Sequence, residues 1–135
     1  MVVLACNAWL VDDVLSQAMA PVLRDLQTAG NTPPIVEDKD WTGDPDSPSV
    51  TLWSPNGSGL GIQVDRTAPE FERVAMVAEQ IQEWAIEELW GHAPTNWPQC
   101  PHHPDNHPME VSTRENRAVW VCPADRTPVA PIGAL

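Results

Sequence analysis

"TAPEFERVAMVAEQIQEWAIEELWG", residues 67–91, carries the strongest helical period in the chain. Phe71, Val74, Ala78, Ile81 and Ala85 recur at spacings of three and four, which places them on one stripe of an α-helix. Val77, Trp84 and Leu89 widen that stripe. Thr67 and Glu70 have the spacing of a capping box, Pro69 is tolerated in a first turn, and Gly91 offers a stop. Glu79, Glu83, Glu87 and Glu88 read as a solvated face, because no histidine accompanies them at the spacing that helical carboxylate metal sites use. A helix with one apolar stripe must bury it against something, so the neighbouring segments have to supply a partner.

They do so upstream. "VTLWS" (50–54) and "LGIQVD" (60–65) alternate apolar and polar residues and are joined by "PNGSG", whose Asn56-Gly57 pair is a hairpin turn signal. Val50 and Leu52 share one face of the first run, and Leu60, Ile62 and Val64 share one face of the second. A two-stranded ribbon is marginal alone, so the long helix is expected to lie across it. A second helix is expected from Trp9 to Leu26, through Val11, Val14, Leu15, Ala18, Val22 and Leu23, with Gly30 as its stop. Pro21 removes one backbone donor inside that run, which predicts a kink or a break there. Residues 31–49 read as a loop with a short strand at Ile35 to Glu37.

Composition bounds the function. The 135 residues suit one domain with a small appendage, and 15 prolines against 7 glycines imply stiff connections between a few regular elements. A net charge of −12 disfavours direct clamping of a nucleic-acid backbone. The seven tryptophans are more than so small a domain is expected to bury alone, which implies that some are exposed or covered by a partner. Val3-Leu4-Ala5-Cys6 has the look of a lipoprotein cleavage box, but no basic start precedes it and acids follow at once. Neither a signal peptide nor a membrane span is therefore expected, and the chain reads as cytoplasmic. In a reducing compartment Cys6 is a small buried hydrophobe.

The composition then changes. From about residue 96 proline, histidine and tryptophan dominate, and "CPHHPDNHPMEV" (100–111) gathers one cysteine and three histidines. Cys100 and His103 have the spacing by which a tight turn aims two ligands at one ion, His107 follows, and Cys122 closes a short strand, giving C-x2-H-x3-H-x14-C. Two thiolates and two imidazoles suit a closed tetrahedral zinc site, and a short proline-rich segment has few other ways to offset its ordering entropy. His102 replacing His103, Asp125 replacing a histidine, a Cys100–Cys122 disulfide and a metal-free loop are the alternatives. "SPNGSGLG" lacks the lysine of a phosphate loop, and no serine, histidine and acid form a triad. Strands are expected at Ala118 to Cys122 and Pro128 to Ile132.

"EWAIEELW", "WPQCPHHPDNHP", "AVWVCP" and "PIGAL" together resemble a group of small actinobacterial and actinophage proteins with a Cys-Pro-x-His, His-Pro and Trp-x-Cys-Pro tail. The resemblance implies a soluble protein with the motif on Cys100, His103, His107 and Cys122, and it brings no activity with it.

The expected architecture is α+β: two helices packed on a small antiparallel sheet (1–95), extended by a zinc-stapled β-ribbon (96–135). The expected function is non-catalytic. Zinc holds the tail, and Trp90, Trp97 and Trp120 anchor other protein subunits, in a homo- or hetero-oligomer such as a phage particle, with neither membrane nor nucleic acid as a direct partner. A virion would then be the alternative location. The rivals are a zinc hydrolase using Glu110 as base, and an acidic regulator or nucleic-acid mimic of a basic partner.

Overall fold

The computed structural model describes residues 12–55, 57–89, 96–103 and 107–135. The fold is α+β. Helix α1 (Asp13–Thr28) is followed by β1 (Ile35–Glu37), β2 (Ser49–Trp53), β3 (Gly59–Gln63), α2 (Glu70–Leu89), β4 (Glu110–Arg114), β5 (Arg117–Val121) and β6 (Pro128–Pro131). The strands form two antiparallel three-stranded sheets, β1-β2-β3 and β4-β5-β6. Helix α2 packs against α1, β3, β4 and β5, so it is the common backing of both sheets.

Most of its expected stripe is buried: Val77, Ala78, Ile81, Trp84 and Ala85 lie in the core, while Phe71 and Val74, nearer its start, are half-buried. Across from them sit Val50, Leu52 and Ile62 of the first sheet, paired Val50↔Ile62 and Leu52↔Leu60. Leu15, Ala18, Met19, Val22 and Leu26 of α1 complete that interior. The same apolar cluster continues into the C-terminal sheet through Trp97, Met109, Ala118 and Trp120.

Three local expectations change. Helix α1 runs without a break through Pro21 and starts at Asp13 behind the N-cap Asp12, whereas Trp9, the expected start, lies outside the described residues. Thr67 forms no capping box; its hydroxyl donates to the Asp65 carboxylate at 2.7 Å, and α2 begins at Glu70 with Arg73 N–H donating to the Pro69 carbonyl. Gly91 lies outside the described residues. The C-terminal ribbon is a sheet of three strands, because "EVSTR" pairs with β5 from Glu110↔Val121 to Arg114↔Arg117. The turn between them puts Glu115 and Asn116 at φ of 51° and 62°. That is the double left-handed turn of a tight hairpin, formed here without a glycine to advertise it.

The end of α1 is a Schellman cap. Gly30 (φ 81°) donates to the Gln27 carbonyl at 2.9 Å and Asn31 to the Leu26 carbonyl at 3.3 Å. One turn before it, Asp25 is fully buried. Its carboxylate accepts from the Trp120 indole N–H at 2.8 Å, the Gly133 amide at 2.6 Å and the Leu135 amide at 3.0 Å. A buried carboxylate is stable only when its oxygens are taken up in this way. The interaction ties α1 to β5 and to the segment after β6. Gly133, at φ 104°, lies so close to α1 that an added Cβ would stand 2.7 Å from the Pro21 Cβ.

Asp25→Ala leaves three donors without an acceptor and is expected to cost about 2–4 kcal/mol in urea unfolding. Trp120 emission should shift red in the variant, and Asp25→Asn should be milder because one acceptor oxygen remains.

At the other end of α1, Asp12 is the N-cap: it accepts from the Val14 amide at 2.9 Å and pairs with Arg66 of the β3–α2 connection. The Arg66 guanidinium holds its carboxyl below the ordinary value of 3.8, against a smaller opposing effect of burial. A depressed carboxylate stabilises the fold above its unfolded pKa, and that contribution is lost as pH falls through the folded value. Asp12→Ala is therefore expected to cost about 1 kcal/mol near neutral pH. The gap from wild type should narrow below about pH 4 in thermal melts across pH.

Candidate metal centre

The C-terminal sheet holds its chemistry at one end. Residues 98–103 are tied to residues 107–109 by the Gln99↔Pro108 bridge and by Met109 N–H donating to the Pro98 carbonyl at 2.7 Å. In the first of these segments, His103 N–H donates to the Cys100 carbonyl at 3.1 Å, so Cys-Pro-His-His is a tight turn that brings both side chains to one side. Cys122 arrives at the end of β5. Alternation along that strand puts Cys122 on the same face as Ala118 and Trp120, toward the interior. Cys122 also begins a turn, accepting from Arg126 N–H at 2.8 Å and donating to the Thr127 carbonyl at 2.9 Å.

The two turns meet. His103 Nδ1 stands 3.7 Å from Cys100 Sγ and 3.5 Å from Cys122 Sγ. All three donor atoms lie within 4.8 Å of one another, with both sulfurs buried and the imidazole half-buried. Tetrahedral ligands around an ion, at metal–sulfur distances near 2.3 Å and metal–nitrogen distances near 2.0 Å, sit about 3.4–3.8 Å apart, so this is the spacing of a coordination shell. The cysteines are free thiols.

The electrostatics agree with the donor chemistry. Backbone N–H groups of Asp125 and Ala124 are directed at the Cys122 sulfur and draw its pKa down. Burial, the Cys100 thiol and the Asp125 carboxyl push the other way and leave it above the ordinary thiol value. The Cys122 thiol therefore resists ionising, whereas a divalent cation beside it would reverse the sign. Asp125 itself is held down at about 2, first by the Thr127 amide, then by the Thr127 hydroxyl and the Cys122 thiol.

His107 is near the three ligands without joining them. Its ring centroid is 5.0 Å from that of His103, and its Nδ1 faces the Pro108 carbonyl at 3.4 Å, which leaves Nε2 as the atom able to ligate. His102 is exposed, 6.3 Å from His103 centroid to centroid. Glu110 is solvent-facing and meets Arg126 at 3.5 Å.

The tryptophans correct an expectation. Trp97 and Trp120 are 4% and 0% exposed and pack edge to face with centroids 5.5 Å apart. They are interior residues in the same buried cluster as Cys100 and Cys122, unavailable as surface anchors, because the helices cover this face of β5. Trp90 lies outside the described residues. Sequence reasoning missed Gln82 on α2, whose amide donates to the Met109 carbonyl at 2.6 Å and the Trp97 carbonyl at 3.3 Å. It also missed Asp25, whose tie to Trp120 fixes the strand that delivers Cys122. No sequence signal marks either residue, since a polar side chain on a helix reads as solvated until its partner is known.

Among the described residues no helix is long and apolar enough to cross a membrane. Comparison of the chain with protein-family models, with curated proteins and with solved structures gave no match.

Gln82→Ala is expected to cost about 1–2 kcal/mol, because it strips the loop of its two bonds to α2. Amide exchange at His103 and Met109 should accelerate, while exchange in β2 and β3 should stay unchanged.

Proposed function

We propose that Cys100, His103 and Cys122 bind one zinc ion, with His107 as the fourth ligand, and that the ion is a structural staple of a non-catalytic protein that works by binding other proteins. The single observation that carries this reading is the convergence of three donors of zinc-preferring type within 4.8 Å of one another, delivered by two separate turns. Two sulfurs favour zinc over the hard cations magnesium and calcium. Closure by four protein ligands leaves no position for a reacting water, and the carboxylate of Glu110 is engaged with Arg126 in solvent. The staple replaces apolar area that the sheet lacks: β4 and β6 bury little, with burial patterns of mostly exposed and intermediate residues. Membership of a larger assembly such as a phage particle is one setting for such a protein.

Purified protein is expected to carry one zinc per chain. Cys100→Ser and Cys122→Ser should each abolish retention of the ion and destabilise the C-terminal sheet by several kcal/mol. Cobalt substitution should give sulfur-to-metal absorption in the wild-type protein and none in either cysteine variant. His107→Ala should lower affinity where Asp125→Asn does not; the reverse result would move the fourth ligand to Asp125. A metal-free protein whose stability is indifferent to chelators would reject the reading.

A further inference from the structure

The first sheet has a second face, turned away from the helices. Ile35, Glu37, Thr51, Trp53, Gly59, Gly61 and Gln63 alternate onto it opposite the buried Val50, Leu52 and Ile62. Two indoles lie flat on it. Trp53 covers Gly59, where a Cβ would stand 2.7 Å from its ring, and Trp41 covers Gly61, where a Cβ would stand 2.9 Å from its ring. The glycines are what let the rings lie down.

Both rings are fixed from below and open above. Trp41 donates its Nε1–H to the Val50 carbonyl at 3.1 Å and its backbone amide to the Ser49 hydroxyl at 3.0 Å. Trp53 donates its Nε1–H to the Glu37 carboxylate at 3.2 Å. Trp41 is nevertheless 46% exposed, and Ile35, across from Trp53 in register, is 62% exposed. Held rings with a free face are costly in solvent and differ from a mobile surface tryptophan.

The charge in the sequence around Trp41 is mostly negative. Glu37, Asp38, Asp40, Asp44 and Asp46 surround Trp41 in sequence, with Lys39 the one cation between residues 37 and 46. All five acids are exposed. Ser49 hydroxyl, then the Gly43 amide, hold the Asp40 carboxyl below its ordinary value, so it is charged throughout the neutral range. Indole faces attract cations through the ring quadrupole, and a carboxylate at the ring edge adds an ion pair to the same guanidinium or ammonium.

The geometry points to this face as the docking surface for a basic, arginine-bearing segment of a partner protein, with side chains stacked on Trp41 and Trp53 and paired with Glu37 and Asp40. It names the chemistry of the partner in the proposed binding role, but it stands on the first sheet alone and does not depend on the metal. Variants of the indoles report on this surface, and the cysteine variants report on the staple.

The test is binding of a labelled oligoarginine peptide to the full chain at physiological ionic strength, by fluorescence anisotropy. Trp41→Leu and Trp53→Leu, which keep an apolar cover over the glycines, are expected together to weaken binding about tenfold with an unchanged circular dichroism spectrum. Glu37→Gln, which leaves the rings in place, should weaken it about threefold. Glu79→Gln with Glu83→Gln, on the solvated face of α2, should change it less than twofold. Equal losses from the α2 pair and the indole pair would mean general charge attraction and would overturn the proposal. So would undiminished binding in the leucine variants, absence of binding to the wild type, or quenching of Trp41 and Trp53 emission by a neutral oligosaccharide in place of the peptide.

Discussion

Two sulfurs and an imidazole nitrogen gathered within 4.8 Å are the constraint that the C-terminal third of this chain is built to satisfy. Without an ion the Cys122 thiol is raised by burial and then by the Cys100 thiol and the Asp125 carboxyl, which together outweigh the local amides. A divalent ion held there would turn that penalty into bond energy, at a place where the sheet has little apolar area of its own.

The body of the protein holds the cluster in place through polar contacts that reach across the fold. Asp25 on α1 fixes the Trp120 indole, which lies two residues before Cys122 on one face of β5. Gln82 on α2 fixes both flanks of the loop that carries Cys100 and His103. Trp97 and Trp120, edge to face, belong to the same buried cluster as Cys100 and Cys122. Each of these contacts joins residues far apart in sequence, and through Asp25 and Gln82 both helices are tied to the segments that carry the cluster. The candidate metal centre is in that sense a consequence of the fold, which a bound ion would then close.

Much of this architecture is legible in the residues themselves. The three-four stripe of α2, the alternation of Val50, Leu52, Leu60 and Ile62 and the Gly30 stop are periodic or local signals, and they place the first sheet and both helices. Cys100, His103 and Cys122 are legible by spacing. Strand β4 is not, since "EVSTR" has only Val111 as an apolar residue and its turn uses Glu115-Asn116 without glycine. The fate of the tryptophans is equally hidden. Trp97 and Trp120 are core residues while Trp41 is exposed, and only the covering of β5 by the helices and of Gly61 by Trp41 decides which is which.

The most direct measurement of the central claim is X-ray absorption at the zinc edge on protein purified without added metal. The account predicts one zinc per chain, with two sulfur neighbours at about 2.3 Å and two nitrogen neighbours at about 2.0–2.1 Å. A first shell made only of oxygen and nitrogen, or protein without zinc and with Cys100 and Cys122 both reactive toward thiol reagents in the folded state, would contradict it.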